Sequence, residues 1–143
     1  MKKVIKIASA IVLSLCLLVC ATGCVSADWQ KTKENLVAEK YNVSATVNTD
    51  ALSATKIKAG LVAVGLAKAD TDPIYAYIYA IDDGKFAHFF YCDNGEIAKE
   101  LYEALDAKLP ELLDTYDIAE KDAKLGKSGR VVYFGYKEVI KAA

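Results

Sequence analysis

Residues 74–92 read IYAYIYAIDDGKFAHFFYC, and this stretch is the strongest structural pattern in the chain. Its two halves, residues 74–81 and 85–92, are rich in β-branched and aromatic residues, which favour strands. Between them lies Asp83-Gly84, a pair that suits the two central positions of a type I′ turn. The pattern therefore predicts an antiparallel hairpin.

Side chains alternate between the two faces of such a hairpin. Counting outward from the turn pairs aromatic and polar side chains on one face: Tyr79 with His88, Tyr77 with Phe90, and Tyr75 with Cys92. The other face carries alanines and isoleucines together with two aromatic residues: Ile74, Ala76, Ile78, Ala80, Ala87, Phe89 and Tyr91. Both faces are apolar, which predicts either a hairpin covered on two sides or a sheet with one exposed apolar surface.

The flanking segments supply further strands and helices. Strand patterns occur at residues 43–47, 61–67 and 130–135. Helices are predicted after Asp28, after the capping box Asp93-Asn94-Gly95-Glu96, and over residues 137–142. Residues 48–59 fit a short helix or a packed loop, and residues 111–129 fit a helix that gives way to a loop at residue 124. The expected fold class is α+β, an antiparallel-rich sheet of about five strands packed with helices, in the order α-β-β-β-β-α-β-α.

The N-terminus has the pattern of an export signal. Lys2, Lys3 and Lys6 precede an uncharged apolar run over residues 7–21, which is too short to span a bilayer. The run ends at Ala21-Thr22-Gly23-Cys24, which resembles the lipobox of bacterial lipoproteins. The resemblance implies a signal peptide at residues 1–23, a lipid-modified Cys24 that begins the mature chain, a short tether at residues 24–27, and one domain at residues 28–143.

Two other interpretations of the N-terminus are open. Ordinary signal-peptidase cleavage after Val25-Ser26-Ala27 also satisfies the small-residue rule and would release the domain. An uncleaved anchor fits less well, because the apolar run is short and contains Ser9 and Ser14.

The lipoprotein resemblance implies where the protein works. In that family Cys24 would carry a diacylglyceryl group, and two acyl chains hold a protein stably on a membrane. Four steps of extended chain from Cys24 to Asp28 reach about 14 Å, so the domain would lie against the headgroups. The implied location is the extracytoplasmic side of a cell membrane or envelope, with the membrane itself as one partner.

Charge and cysteine content exclude several classes of function. The chain has 18 basic and 19 acidic residues, and the signal contains three of the basic ones and no acidic one. The mature chain is therefore acidic, which argues against nucleic acid as a partner. With Cys16 and Cys20 removed and Cys24 acylated, Cys92 is the only free thiol, so no internal disulfide is expected.

No recognisable catalytic or metal site appears in the sequence. A Cys-His nucleophile pair must approach to about 3 Å. His88 and Cys92 lie four residues apart on one predicted strand, a separation of about 13 Å. That distance also prevents them from sharing one zinc ion. No catalytic residue, metal or cofactor is therefore predicted.

The remaining candidate site is the aromatic stripe on the first face of the hairpin: Tyr75, Tyr77, Tyr79, His88 and Phe90. Aromatic side chains with polar tips suit a surface that binds a small ligand or an envelope protein. They serve equally well as one layer of a core, and core is favoured because helices are available to cover both faces.

Two functional classes follow. The favoured one is a non-enzymatic binding or interaction module anchored at the membrane. The alternative is a small lipid-tethered hydrolase or transferase, in which carboxylates of Asp82, Asp83 or Asp93 would meet Arg130 or His88 in one pocket.

Overall fold

The computed structural model describes residues 25–143. The predicted signal peptide and lipid attachment at Cys24 lie outside the described residues and stay predictions. In chain order the elements are helix α1 (Trp29–Ala38), strand β1 (Asn42–Val47), helix α2 (Ala51–Ala63), strands β2 (Ile74–Asp82) and β3 (Lys85–Cys92), helix α3 (Gly95–Tyr116), a 3-10 turn (Glu120–Asp122), strands β4 (Ala123–Ser128) and β5 (Val131–Tyr136), and helix α4 (Lys137–Ala142). Among these residues, no helix combines the length and the hydropathy that crossing a bilayer requires.

The five strands form one sheet in the order β1-β2-β3-β5-β4, and every neighbouring pair is antiparallel. The predicted α+β class with a five-stranded antiparallel sheet is confirmed. The hairpin at its centre is also confirmed, since Asp82 pairs with Lys85 around the predicted turn. Asp83 and Gly84 have φ values of 52° and 79°, the positive values that a type I′ turn needs.

Helices cover the sheet on both sides. On one face, which carries Tyr77, Phe90 and Phe134 and is called the cleft face below, the sheet packs against α2 and α3. On the opposite face, which carries Ala76, Ile78 and Phe89, it packs against α1 and α4. The apolar character of both hairpin faces is thus explained by two cores, one on each side of β2 and β3.

The predicted strand at residues 61–67 is wrong, because its first three residues complete helix α2. A capping box between Asp50 and Ser53 starts that helix. Ile57, Leu61 and Val64 then recur at helical spacing and are fully buried. A short apolar run fits a strand or a buried helix equally well. Here the capping box and the helical spacing of the buried residues favour the helix.

The predicted loop at residues 124–129 is also wrong. This segment lies largely in strand β4, which pairs with β5 from Ala123↔Tyr136 to Ser128↔Val131. The strand carries Lys124 and Lys127, as edge strands commonly do. This polar sequence lacks the alternation of apolar residues from which a strand is predicted. The sheet therefore has five strands, of which one differs from the prediction.

Helix α3 continues through Pro110 to Tyr116, although a proline inside a helix usually ends or kinks it. Leu105 and Leu112, on either side of Pro110, are both buried against the sheet. The packing of these leucines therefore stabilises the helix at Pro110, which has no backbone N–H to donate.

A register shift changes the face on which Tyr75 lies. Ile74 pairs with Cys92 and Ala76 pairs with Tyr91, so Tyr75 is an extra residue in β2. Its ring packs edge-on against Tyr91 at 6.1 Å, and the Arg130 guanidinium lies 5.4 Å from the ring centroid. The predicted Tyr75–Cys92 pair is wrong, and Tyr75 belongs to the face opposite the other two tyrosines.

Candidate functional site

A cavity of about 360 Å³ opens on the cleft face, between α2, the end of α3 and strands β1 to β3. We call it the aromatic cleft. Its lining consists of Ser44, Thr46, Lys56, Ala59, Gly60, Ala63, Tyr77, Tyr79, Phe86, His88 and Tyr116. The volume lies in the range of small-ligand pockets, and the lining has the usual composition of apolar walls with a few polar groups.

Small residues of α2 form one wall of the aromatic cleft. Ala59, Gly60 and Ala63 lie along the helix side that faces the sheet. A Cβ atom at Gly60 would lie 2.7 Å from the Tyr77 hydroxyl oxygen, closer than the side chains can approach. Glycine therefore lets the helix rest directly on the Tyr77 ring.

The floor of the cleft contains a buried polar pair. The Tyr77 hydroxyl forms a hydrogen bond of 2.6 Å with Nδ1 of His88, which is 4% exposed. Among residues 25–143 no other group forms a hydrogen bond with the His88 ring. The ring therefore has one nitrogen bonded to Tyr77, and its other nitrogen forms no hydrogen bond with the described residues.

Burial sets the charge state of this pair. It lowers the pKa of His88 to about 4, and it raises the pKa of Tyr77 above the ordinary tyrosine value. Both side chains are consequently neutral at pH 7. The floor offers hydrogen bonds and carries no charge.

Aromatic rings complete the walls. The Tyr79 and His88 rings lie 4.9 Å apart, and Phe86 meets Tyr116 edge-on at 5.1 Å. The Tyr116 hydroxyl donates to the Ala63 carbonyl, so the end of α3 is tied to α2 across the cleft. These rings present faces and edges on which a flat apolar group can pack.

The predicted aromatic stripe divides into three parts. Tyr77, Tyr79 and His88 line the aromatic cleft. Phe90 is fully buried beneath Tyr77, with 4.9 Å between ring centroids, and belongs to the core. Tyr75 lies on the opposite face, so the stripe is partly core and partly the wall of a cavity.

Several lining residues were not predicted. Phe86 lies two residues before His88 on the same strand face, a signal that the sequence did contain. Tyr116 could not be found without knowing that α3 continues through Pro110. Ser44, Thr46 and Lys56 come from elements that only the tertiary structure brings alongside β2.

The charged groups of the alternative enzyme hypothesis do not meet in one pocket. Asp82 and Asp83 lie at the hairpin turn, whereas Asp93 follows the far end of β3. Arg130 donates to the Asp93 backbone carbonyl at 3.0 Å, near Tyr75. No carboxylate lines the aromatic cleft, where His88 lies.

A metal centre and a reactive thiol find no support in the described part of the chain. Residues 25–143 contain no group of three or more His, Cys, Asp or Glu side chains placed to hold an ion. Cys92 is fully buried, and burial raises its pKa to about 12. A thiol with that pKa stays protonated at neutral pH and is a poor nucleophile.

Comparison with protein-family models, with curated protein sequences and with solved structures finds no match to this chain. Function is therefore inferred from the geometry of the aromatic cleft and from the N-terminal sequence.

Proposed function

We propose that this protein is a membrane-anchored extracytoplasmic lipoprotein that acts as a non-enzymatic binding module. The aromatic cleft takes an aromatic or apolar group of its ligand, which is an envelope protein or a small molecule. The observation that carries the proposal is the neutral Tyr77–His88 pair at the floor of a cavity walled by aromatic rings.

The chemistry of the cleft favours an uncharged group. Moving an ionised group among these rings would cost several kcal/mol unless an opposite charge met it there. The only charged side chain in the lining is Lys56, which is exposed at the rim. A flat apolar ring with one hydrogen-bonding atom matches the walls and the free nitrogen of His88.

The first described residues support a short lipid tether. Val25 is 3% exposed and packs in the core of the opposite face, and the Tyr91 hydroxyl donates to the Ser26 carbonyl at 2.9 Å. Cleavage after Ala27 would remove both residues from the fold. Cleavage before Cys24 would retain them, which favours the lipoprotein interpretation over ordinary signal processing.

The cleft can be tested with 5-fluoroindole as a probe, followed by fluorine NMR. We expect the protein to bind the probe at one site. Ala59→Phe, which fills the cleft from α2, should abolish binding. Val62→Phe adds the same ring to the same helix at a position that is 53% exposed and outside the lining, so it should leave binding unchanged.

Two results would overturn the binding proposal. One is a folded protein that does not broaden or shift the probe signal. The other is equal binding by the Ala59→Phe and Val62→Phe variants, which would place the probe elsewhere on the surface.

A further inference from the structure

We infer that strand β1 is a docking edge for an extended peptide segment of a partner protein. The segment adds a sixth strand beside β1 and places an aromatic side chain in the aromatic cleft. This inference rests on the proposed function and names the class of ligand.

The hydrogen-bonding groups on the free edge can be identified from the register. Asn48 N–H donates to the Tyr75 carbonyl, which fixes the alternation of inward and outward groups along β1. Thr46 and Ser44 share the inward direction of Asn48. The backbone groups of Val43, Ala45 and Val47 therefore point away from β2, and no strand among residues 25–143 pairs with them.

The two edges of the sheet differ in their protection. Strand β4, at the far edge, reads AKLGKS and carries two lysines, which discourage pairing with another chain. Strand β1 reads NVSATV and has no charged residue and no proline. Of the two edges, β1 is thus the one without the usual protection against an added strand.

The cleft extends to this same edge strand. Ser44 and Thr46 are the β1 residues in its lining, and both side chains are short. A residue directly across from them on an added strand would have its Cβ about 5 Å away. A large side chain there reaches over Ser44 or Thr46 toward the rings of Tyr79 and Phe86.

The unpaired edge of β1 and the cleft beside it together indicate that the occupant is an extended peptide of another protein. A row of alternating N–H and C=O groups is matched along its length by another polypeptide backbone, while a pocket beside it selects one side chain. A second copy of β1 would bring Asn42, Ser44 and Thr46 to that face, and none of these short polar side chains fills a cavity of about 360 Å³. Lys56 at the rim favours an acidic residue next to the aromatic one.

The test uses the full chain isolated from its own cells, in phosphatidylcholine nanodiscs if it carries the anchor and in buffer if it does not. The probe is the capped peptide threonine-glutamate-threonine-phenylalanine-threonine-valine-threonine, in which glutamate is next to phenylalanine on the same strand face. The control peptide has alanine in place of phenylalanine. Affinity is measured by fluorescence anisotropy of a labelled peptide. Pairing is measured by hydrogen–deuterium exchange of residues 42–48.

We expect the phenylalanine peptide to slow exchange in residues 42–48 and to bind at least tenfold more tightly than the alanine peptide. Val47→Pro removes an outward N–H and leaves the bonds to β2 intact, so it should weaken binding by roughly tenfold. Val47→Ala is the matched control, and its affinity should stay within about twofold of the unaltered protein.

Each other result contradicts the inference. Binding without protection of residues 42–48, or equal binding by the Val47→Pro and Val47→Ala variants, would show that the peptide does not pair with β1. Slowed exchange that depends on protein concentration without peptide would assign the edge to a second copy. If 5-fluoroindole binds and the peptide does not, the inference fails while the proposed cleft function stands; if neither binds, both fail.

Discussion

The Tyr77 hydroxyl and Nδ1 of His88 lie 2.6 Å apart on neighbouring strands, although these residues are not directly opposite each other. Tyr77 pairs with Phe90, and His88 pairs with Tyr79, so the hydrogen bond runs diagonally across the hairpin. It orients the imidazole at the floor of the aromatic cleft. Burial of the imidazole beneath the cleft keeps it neutral by lowering its pKa.

The stability of the protein should fall in mild acid because of His88. The unfolded chain takes up a proton near the ordinary pKa of 6.5, whereas the folded protein takes it up only near about 4. The contribution of neutral His88 is thus fully present above pH 6.5 and is lost as the pH falls from 6.5 toward 4. Between pH 7 and pH 4.5 the loss in free energy of unfolding is roughly 2 to 3 kcal/mol.

Urea unfolding at several pH values measures this effect. The matched variant is His88→Gln, which can still accept a hydrogen bond from Tyr77 and does not titrate. Its stability should fall less between pH 7 and pH 4.5 than that of the unaltered protein. Parallel curves for the two proteins would refute the assignment of a depressed pKa to His88.

Close packing of α2 on Tyr77 predicts a large effect at Gly60. Gly60→Ala would place a Cβ 2.7 Å from the Tyr77 hydroxyl oxygen, so the helix or the ring must move. Overpacking of this kind costs about 1 to 3 kcal/mol. The change should also disturb the cleft, because Gly60 and Tyr77 both line it.

Gly95→Ala is the control for this prediction, since Gly95 begins α3 and an added Cβ there meets nothing within 4 Å. It should be neutral or slightly stabilising, because alanine favours a helix over glycine. Thermal unfolding of the two variants makes the comparison. Equal stability of Gly60→Ala and Gly95→Ala would contradict the close contact of α2 with Tyr77.

A buried hydroxyl pair fastens α1 to the sheet. Thr32 Oγ1 lies 2.6 Å from the Tyr91 hydroxyl, which itself donates to the Ser26 carbonyl. Thr32→Val keeps the shape and removes one partner, so it should lower the free energy of unfolding by about 1 to 2 kcal/mol. Tyr91→Phe should cost a similar amount, and the double variant less than the sum.

Thr55→Val provides a matched control for the hydroxyl pair. Thr55 is exposed on α2, and its hydroxyl donates only to the Ala51 carbonyl within the same helix. The change should alter stability by less than about 0.5 kcal/mol. If urea unfolding shows additive losses for Thr32→Val and Tyr91→Phe, the two hydroxyls do not act together.

The hairpin could be predicted in detail because the residues that determine its pairing are close together in the sequence. The Asp83-Gly84 turn and the alternation of residues 74–92 determine the pairs Tyr79↔His88 and Tyr77↔Phe90. The bulge at Tyr75 could not be predicted, because it depends on contacts from elsewhere in the chain. The Asn48 side chain donates to the carbonyls of Thr71 and Ile74 beside it.

The candidate site was predictable only in part for the same reason. The hairpin contributes Tyr77, Tyr79 and His88, which share one face by simple alternation. Whether that face is covered depends on how α2 and α3 lie across it. The apolar pattern of residues 61–67 predicted a strand, although the first three of these residues belong to α2. The cavity remains because the wall of α2 is built from Ala59, Gly60 and Ala63, whose side chains are too small to fill it.

The proposed lipid anchor predicts the behaviour of a single substitution at Cys24. Cys24→Ser removes the sulfur that would carry the diacylglyceryl group, so the protein should leave the membrane fraction for the soluble or unprocessed pool. The control is Cys92→Ser, which changes the buried thiol in β3 and should leave fractionation unchanged. Fractionation with intact-mass analysis makes the measurement, and the membrane-bound product should begin at Cys24 and carry acyl chains. A product that begins at Asp28 without acyl chains would contradict the anchor, and it would also lack Val25 and Ser26, whose contacts with the sheet the fold uses.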